Sequence, residues 1–170
     1  MKFDAHVGLK RGLDVVLVLA MLYAAAVGFG VIRHGGNFEE GAPAPDFQVR
    51  SIWDGKDYNL EKLKGKAVLL NFFSTGCPSC RRELSVVEDL QRQGGDRLKV
   101  LVVSADDPKD LKAFMAQRNT SLEVTVDLSR AHDAYGVSTI PYMVVIDPEG
   151  NIREDIVGDI RWSDIEPWLP

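Results

Sequence analysis

Cysteine is scarce in this chain: only Cys77 and Cys80 occur among 170 residues. Two cysteines separated by two residues cannot build the dense disulfide framework of a small secreted fold. They act on each other, or on something else. Basic charge is also in short supply. Twenty Lys and Arg stand against 25 Asp and Glu, a formal net charge of −5. That balance lacks the one-sided Lys/Arg footprint of a nucleic-acid binder, so nucleic acid is excluded as a partner. Histidine is limited to His6, His34 and His132. A zinc site built on the cysteine pair needs two further ligands, and these positions are too scattered to supply them. No metal site and no cofactor are expected. Internal repeats are lacking as well.

What is present is an ordinary globular composition, 45% hydrophobic and 26% charged, enough for one core. Residues 15–32 (VVLVLAMLYAAAVGFGVI) carry no charge. As a helix they would extend about 27 Å, close to the hydrocarbon thickness of a bilayer. Lys2, Lys10 and Arg11 precede the run and only Arg33 follows closely, which favours a cytoplasmic N-terminus. The expected organisation is a cytoplasmic N-terminus over 1–12, a transmembrane anchor over 13–32, a Gly/Pro-rich linker over 33–44 and one domain over 45–170. A cleaved signal peptide, cut after Ala26, is the rival reading. Against it, the apolar run continues through Val27, Phe29, Val31 and Ile32 and exceeds the usual length of a signal core. Without a Cys near its end, a lipid-modified cysteine is excluded. The localisation expected is the cell membrane, single-pass, with the C-terminal domain periplasmic or extracytoplasmic, where disulfides persist.

Within the domain, the mostly apolar runs 67–73 (AVLLNFF) and 98–104 (LKVLVVS) suit buried central strands. Between them, 78–93 has helical periodicity, with Cys80, Leu84, Val87 and Leu90 on one face. Further helices are expected over 108–118 and 163–169, helical turns over 60–64 and 131–135, and short strands over 47–52 and 124–126. Residues 142–146 and 152–157 flank the turn Asp147-Pro-Glu-Gly150, the pattern of a hairpin. Early alternation implies parallel strands, and the terminal hairpin adds antiparallel ones. The fold class is α/β, a three-layer sandwich with a mixed central sheet.

The chemistry centres on Cys77-Pro78-Ser79-Cys80. A buried strand feeds a turn and then a helix whose first turn holds both cysteines. A helix N-terminus offers unpaired N–H groups and a partial positive charge, which stabilise a thiolate. The thiolate is the nucleophile. Cys77 lies at the cap; Cys80 lies one turn later on the inward face; Pro78 suits the first helical position. Cys77 is the expected attacking group and Cys80 the resolving one. As a purely structural bond, so short a loop would contribute little.

Four stretches together resemble the membrane-tethered TlpA/ResA/DsbE-like thiol–disulfide oxidoreductases of the thioredoxin superfamily. They are GAPAPDF at 41–47, VLLNFFSTGCPSCRREL at 68–84, YGVSTIPYMVVIDPEGNI at 135–152 and VGDIRW at 157–162. The resemblance implies a thioredoxin-like fold and a protein-disulfide reductase that uses Cys77 and Cys80. It also implies a cis-proline at Pro141 beside the cysteines. Ile140 would offer backbone groups to an extended substrate, with Gly76 and Pro78 completing the contact surface. The implied partners are exported proteins bearing disulfides or dithiols, together with a membrane electron donor. Cytochrome c maturation and metal-site assembly are the processes such members serve. Two departures stand out. Gly76 replaces the tryptophan usual before the first cysteine, and Asn71 stands where cytosolic thioredoxins carry a proton-transferring Asp. Which group accepts the Cys80 proton stays open.

Two other functions compete. Tethered copper chaperones share the fold and add a distant His, for which His132 is the one candidate, but their cysteines usually have three residues between them, not two. Thiol peroxidases share the GAPAPDF stretch, but place a Thr where Ser74 stands.

Overall fold

A run of seven mostly apolar residues buried on both faces belongs inside a sheet, and β3 (Ala67–Phe73) lies there, paired on both sides. The computed structural model describes residues 15–21 and 37–170. The chain divides into two units, residues 1–34 and 35–170. In the first, residues 15–21 are helical. Among the described residues no helix is long and apolar enough to cross a membrane. The expected N-terminus over 1–12, and the expected anchor apart from 15–21, lie outside the described residues, as do residues 33–36 of the expected linker.

The second unit is built on a seven-stranded sheet of order β2-β1-β5-β4-β3-β6-β7. The strands are β1 (Val49–Ser51), β2 (Asp57–Tyr58), β3, β4 (Leu98–Ser104), β5 (Glu123–Asp127), β6 (Tyr142–Ile146) and β7 (Ile152–Val157). β3, β4 and β5 are parallel, which requires the crossovers that α1 (Pro78–Gly94) and α2 (Pro108–Ala116) provide. β1, β2, β6 and β7 pair antiparallel. The sheet is therefore mixed, as its sequence pattern predicts.

One face of the sheet meets Leu84, Val87 and Leu90 of α1 and Leu111 and Met115 of α2. The other meets Phe47, Leu63, Ala131 and Tyr135, the last two in and just after the short α3 (Ala131–Ala134). Each fully buried Leu or Val contributes roughly 1.5–3 kcal/mol of transfer free energy. These two apolar layers fix the sheet, and the sheet fixes the loops at its ends.

Residues 37–44, the end of the expected linker, lie along the domain. Gly41 N–H donates to Ile152 O at 2.7 Å, and Ile152 N–H to Ala42 O at 2.8 Å. Pro43 bridges Asn151.

The C-terminal helix expected over 163–169 forms as two 3-10 turns, Trp162–Asp164 and Glu166–Trp168. Pro167 has no N–H to donate, so a continuous helical ladder fails there. β2 has no sequence signature. It is two residues long and exists through its pairing with β1.

Candidate active site

β3 ends at Phe73, and four residues later the chain enters α1. Three successive amides of the turn between them are hydrogen-bonded. Thr75 N–H donates to Asp106 Oδ2 at 2.6 Å, Gly76 N–H to Ser74 Oγ at 3.2 Å, and Cys77 N–H to Ser74 O at 3.1 Å. Ser74 Oγ in turn donates to Asp106 Oδ1 at 3.0 Å. Partial burial pushes the Asp106 carboxyl up, but the hydrogen bonds from Thr75, Ser74 and Ser104 outweigh it and hold the group below its ordinary value.

Cys77 is the N-cap of α1, and Pro78 occupies the first turn, where a missing N–H costs nothing. The two cysteines form a disulfide, with Cα atoms 5.3 Å apart. Their environments differ. Cys80 is 2% exposed and packs in the core beside Leu84 and Val87, whereas Cys77 is half-buried and its neighbours Gly76 and Pro78 are exposed. The Cys80 N–H donates to Cys77 Sγ at 3.1 Å. Ser79 Oγ lies 3.2 Å from the same sulfur. After reduction, these donors and the helix dipole favour the thiolate at Cys77.

The loop before β6 faces the pair. Its Ile140–Pro141 peptide bond is cis, and Cys77 Sγ lies 3.9 Å from Ile140 O. Ile140 touches both apolar layers. The residues singled out in the sequence (Gly76, Cys77, Pro78, Cys80, Ile140 and Pro141) thus converge at one end of the sheet. Asn71 is buried in the middle of β3.

One residue the sequence pattern passed over is Glu83. It lies three positions after Cys80 on the same inward face of α1 and is 7% exposed. Neither carboxylate oxygen makes a hydrogen bond of good geometry. Burial pushes its pKa up to about 7, the nearby Asp159 carboxylate adds to the rise, and the Ile160 N–H opposes it. Glu83 lines a cleft of about 310 Å³ with Ser79, Arg82, Pro141 and Asp159, beside the disulfide. The available signal was an acidic residue on the apolar stripe of a helix one turn from a cysteine. Its partner Asp159 is 76 positions away, which no local pattern reveals.

His132 is placed elsewhere. Its Nδ1 lies 2.9 Å from Asp127 Oδ2, and its ring packs edge-on against Phe72 at 4.9 Å. Among the described residues no group of three or more His, Cys, Asp or Glu could hold a metal. The tryptophans pack or brace: Trp53 donates to Leu122 O at 3.1 Å, and Trp162 and Trp168 lie against the core.

A dithiol pair at the amino end of a helix, opposite a cis-proline loop, on a mixed sheet covered by helices on both faces, defines a thioredoxin-like domain. The chain belongs to the AhpC/TSA family, whose match covers residues 41–155. Among curated relatives, the thioredoxin-like protein YneN of Bacillus subtilis is 33% identical over 77% of this chain and 79% of its own length. The thiol–disulfide oxidoreductase ResA of Geobacillus thermodenitrificans is 30% identical over 89% of this chain and 91% of its own. Among solved structures, the exposed lipoprotein thioredoxin Etrx1 of Streptococcus pneumoniae superposes with a TM-score of 0.65 at 29% identity, covering 72% of this chain and 96% of that one. A thiol:disulfide interchange protein of the thioredoxin family from Chlorobium tepidum gives 0.64 at 27% identity, covering 75% and 92%. The protein is a thiol–disulfide oxidoreductase of the ResA type.

Proposed function

We propose that the protein reduces disulfide bonds in exported proteins through Cys77 and Cys80, from a membrane anchor at residues 13–32 with the N-terminus cytoplasmic. The observation that carries the chemistry is the contrast between the two cysteines: Cys77 half-exposed at the cap of α1, Cys80 buried one turn later. The charge-free run 15–32 and the Lys2, Lys10 and Arg11 that precede it support the anchor and its direction.

The reduced protein starts the reaction. The Cys77 thiolate attacks one sulfur of the substrate disulfide, and the other substrate sulfur leaves as a thiolate. Cys80 then gives up its proton and attacks the Cys77 sulfur, expelling the second substrate thiolate. Two electrons have passed to the substrate, and the Cys77–Cys80 bond is closed. Glu83, buried on the same helix face with a pKa of about 7, is the group placed to take the Cys80 proton near neutrality. Ile140 and Pro141, with Gly76 and Pro78, form the surface on which an extended substrate segment lies. A membrane dithiol donor returns two electrons and reopens the bond. Cysteine pairs of an apocytochrome c or of a copper-site protein are substrates of the right kind.

The test is the reduction potential of the full chain, equilibrated in dithiothreitol or glutathione buffers. A value near that of thioredoxin, about −270 mV, is expected. A value near −120 mV marks a dithiol oxidase and overturns the reductive direction.

A further inference from the structure

The turn between β3 and α1 is tied within itself only to Ser74, through the Gly76 and Cys77 amides. Gly76, immediately before the attacking cysteine, brings no side chain, and it is exposed. A Cβ there would meet only Ser74 Oγ, at 3.7 Å. Among the described residues, the side-chain hydrogen bonds that hold the turn from outside come from one residue of another loop. Asp106 follows β4 and is itself fixed, its N–H donating to the Oγ of fully buried Ser104 at 3.1 Å. Ser104 pairs with Phe73 across the parallel ladder. The carboxylate therefore sits at a height set by the sheet.

From there it grips the turn at two points, Thr75 N–H at 2.6 Å and Ser74 Oγ at 3.0 Å. Ser74 Oγ relays the hold to Gly76 N–H at 3.2 Å. With Cys77 N–H on Ser74 O, three successive amides are oriented, and only then does Cys77 begin α1 facing Ile140 O at 3.9 Å.

We propose that Asp106 is a positioning residue for thiol–disulfide exchange, holding the 74–76 turn so that Cys77 Sγ stays in line with the substrate disulfide beside Ile140. The proposal rests on Cys77 being the attacking group. In-line attack on a disulfide tolerates little misplacement, and a displacement of about 1 Å can cost on the order of a hundredfold in rate. Asp106 touches neither sulfur. It acts through Ser74 and Thr75.

The experiment compares the full chain with Asp106→Ala, Asp106→Asn, Ser74→Ala, the Ser74→Ala/Asp106→Ala double variant and Cys77→Ser. The readouts are the second-order rate of reduction of a model protein disulfide and the urea midpoint of each variant. Asp106→Ala is expected to slow reduction about tenfold or more. Asp106→Asn restores the rate to within about threefold, because its amide oxygen accepts from Thr75 and its NH₂ donates to Ser74 Oγ. A purely stabilising side chain would not show that rescue at an unchanged urea midpoint. Ser74→Ala adds less than about twofold on top of Asp106→Ala, the non-additivity of groups acting as one unit. An Asp106→Ala rate within about twofold of the parent overturns the proposal, as does an Asp106→Asn rate no better than that of Asp106→Ala. Cys77→Ser separates the two levels. If it is inactive while Asp106→Ala is unaffected, only the positioning role falls; if it stays fully active, the assignment of Cys77 falls first.

Discussion

Replacing Glu83 with glutamine isolates the cost of a buried charge beside the disulfide. In the folded protein the carboxyl is pushed from 4.5 to about 7 by burial and by Asp159. The shape and volume of glutamine are nearly the same, but it never ionises. Above pH 7 the folded parent carries a buried carboxylate that the unfolded chain holds in water. The difference corresponds to about 3 kcal/mol of stability withheld from the fold. Because the folded value is raised, the sign is fixed. The parent is penalised least below pH 4.5, where both states are protonated, and loses stability as the pH rises between 4.5 and about 7. Glu83→Gln should therefore match the parent at pH 4 and exceed it by about 3 kcal/mol at pH 8. Urea denaturation of the disulfide-bonded form, at both pH values, measures this without any contribution from thiol titration. A difference of the same size at both pH values would refute a raised carboxyl at this site.

Other expectations follow from single features. Cys80→Ser should accumulate a mixed disulfide between Cys77 and a substrate protein, visible on a non-reducing gel, whereas Cys77→Ser should accumulate none. Gly94→Ala in α1 should destabilise by about 1–3 kcal/mol despite the helix-propensity gain of about 1 kcal/mol, since the new Cβ would fall 2.3 Å from Leu98 Cβ; thermal unfolding checks the sign. Asp147, 4% exposed, accepts from Asn151 N–H at 2.8 Å and Arg153 Nε at 2.7 Å. Asp147→Ala should cost about 2–3 kcal/mol at pH 7. Burial opposes ionisation there, but the hydrogen bonds and Arg153 outweigh it and depress the carboxyl, so this loss should shrink as the pH falls below 3.8. Equal losses at pH 7 and pH 3 would contradict it.

Much of the fold was legible because its signals are local. The apolar run of β3, the Pro78 entry and Leu84-Val87-Leu90 stripe of α1, and the Asp147–Gly150 turn each announce an element from neighbouring residues alone. The C-terminal helix was overestimated because the reading of 163–169 did not weigh Pro167, which has no N–H for a continuous ladder. The site divides along the same line. Cys77 and Cys80 are marked by spacing and Pro141 by resemblance. Glu83 and Asp106 matter through segments distant in sequence, Asp159 for one and Ser74 for the other. Asp106 gave no pattern at all, being one of two adjacent aspartates in the short loop after β4.

The segment 41–44 has a consequence for self-association. A sheet of this kind ends in two strands with unsatisfied backbone groups, and such edges recruit other chains into aggregates. Here β2 is only two residues long, too short to template a partner. At the other border, residues 41–44 occupy part of the outer rim of the terminal hairpin through Gly41, Ala42 and Ala44, while Arg153, Glu154 and Asp155 line the rest with charge. A molecule proposed to receive extended chains at Ile140 benefits from refusing them elsewhere, and the last residues before the domain act as the guard.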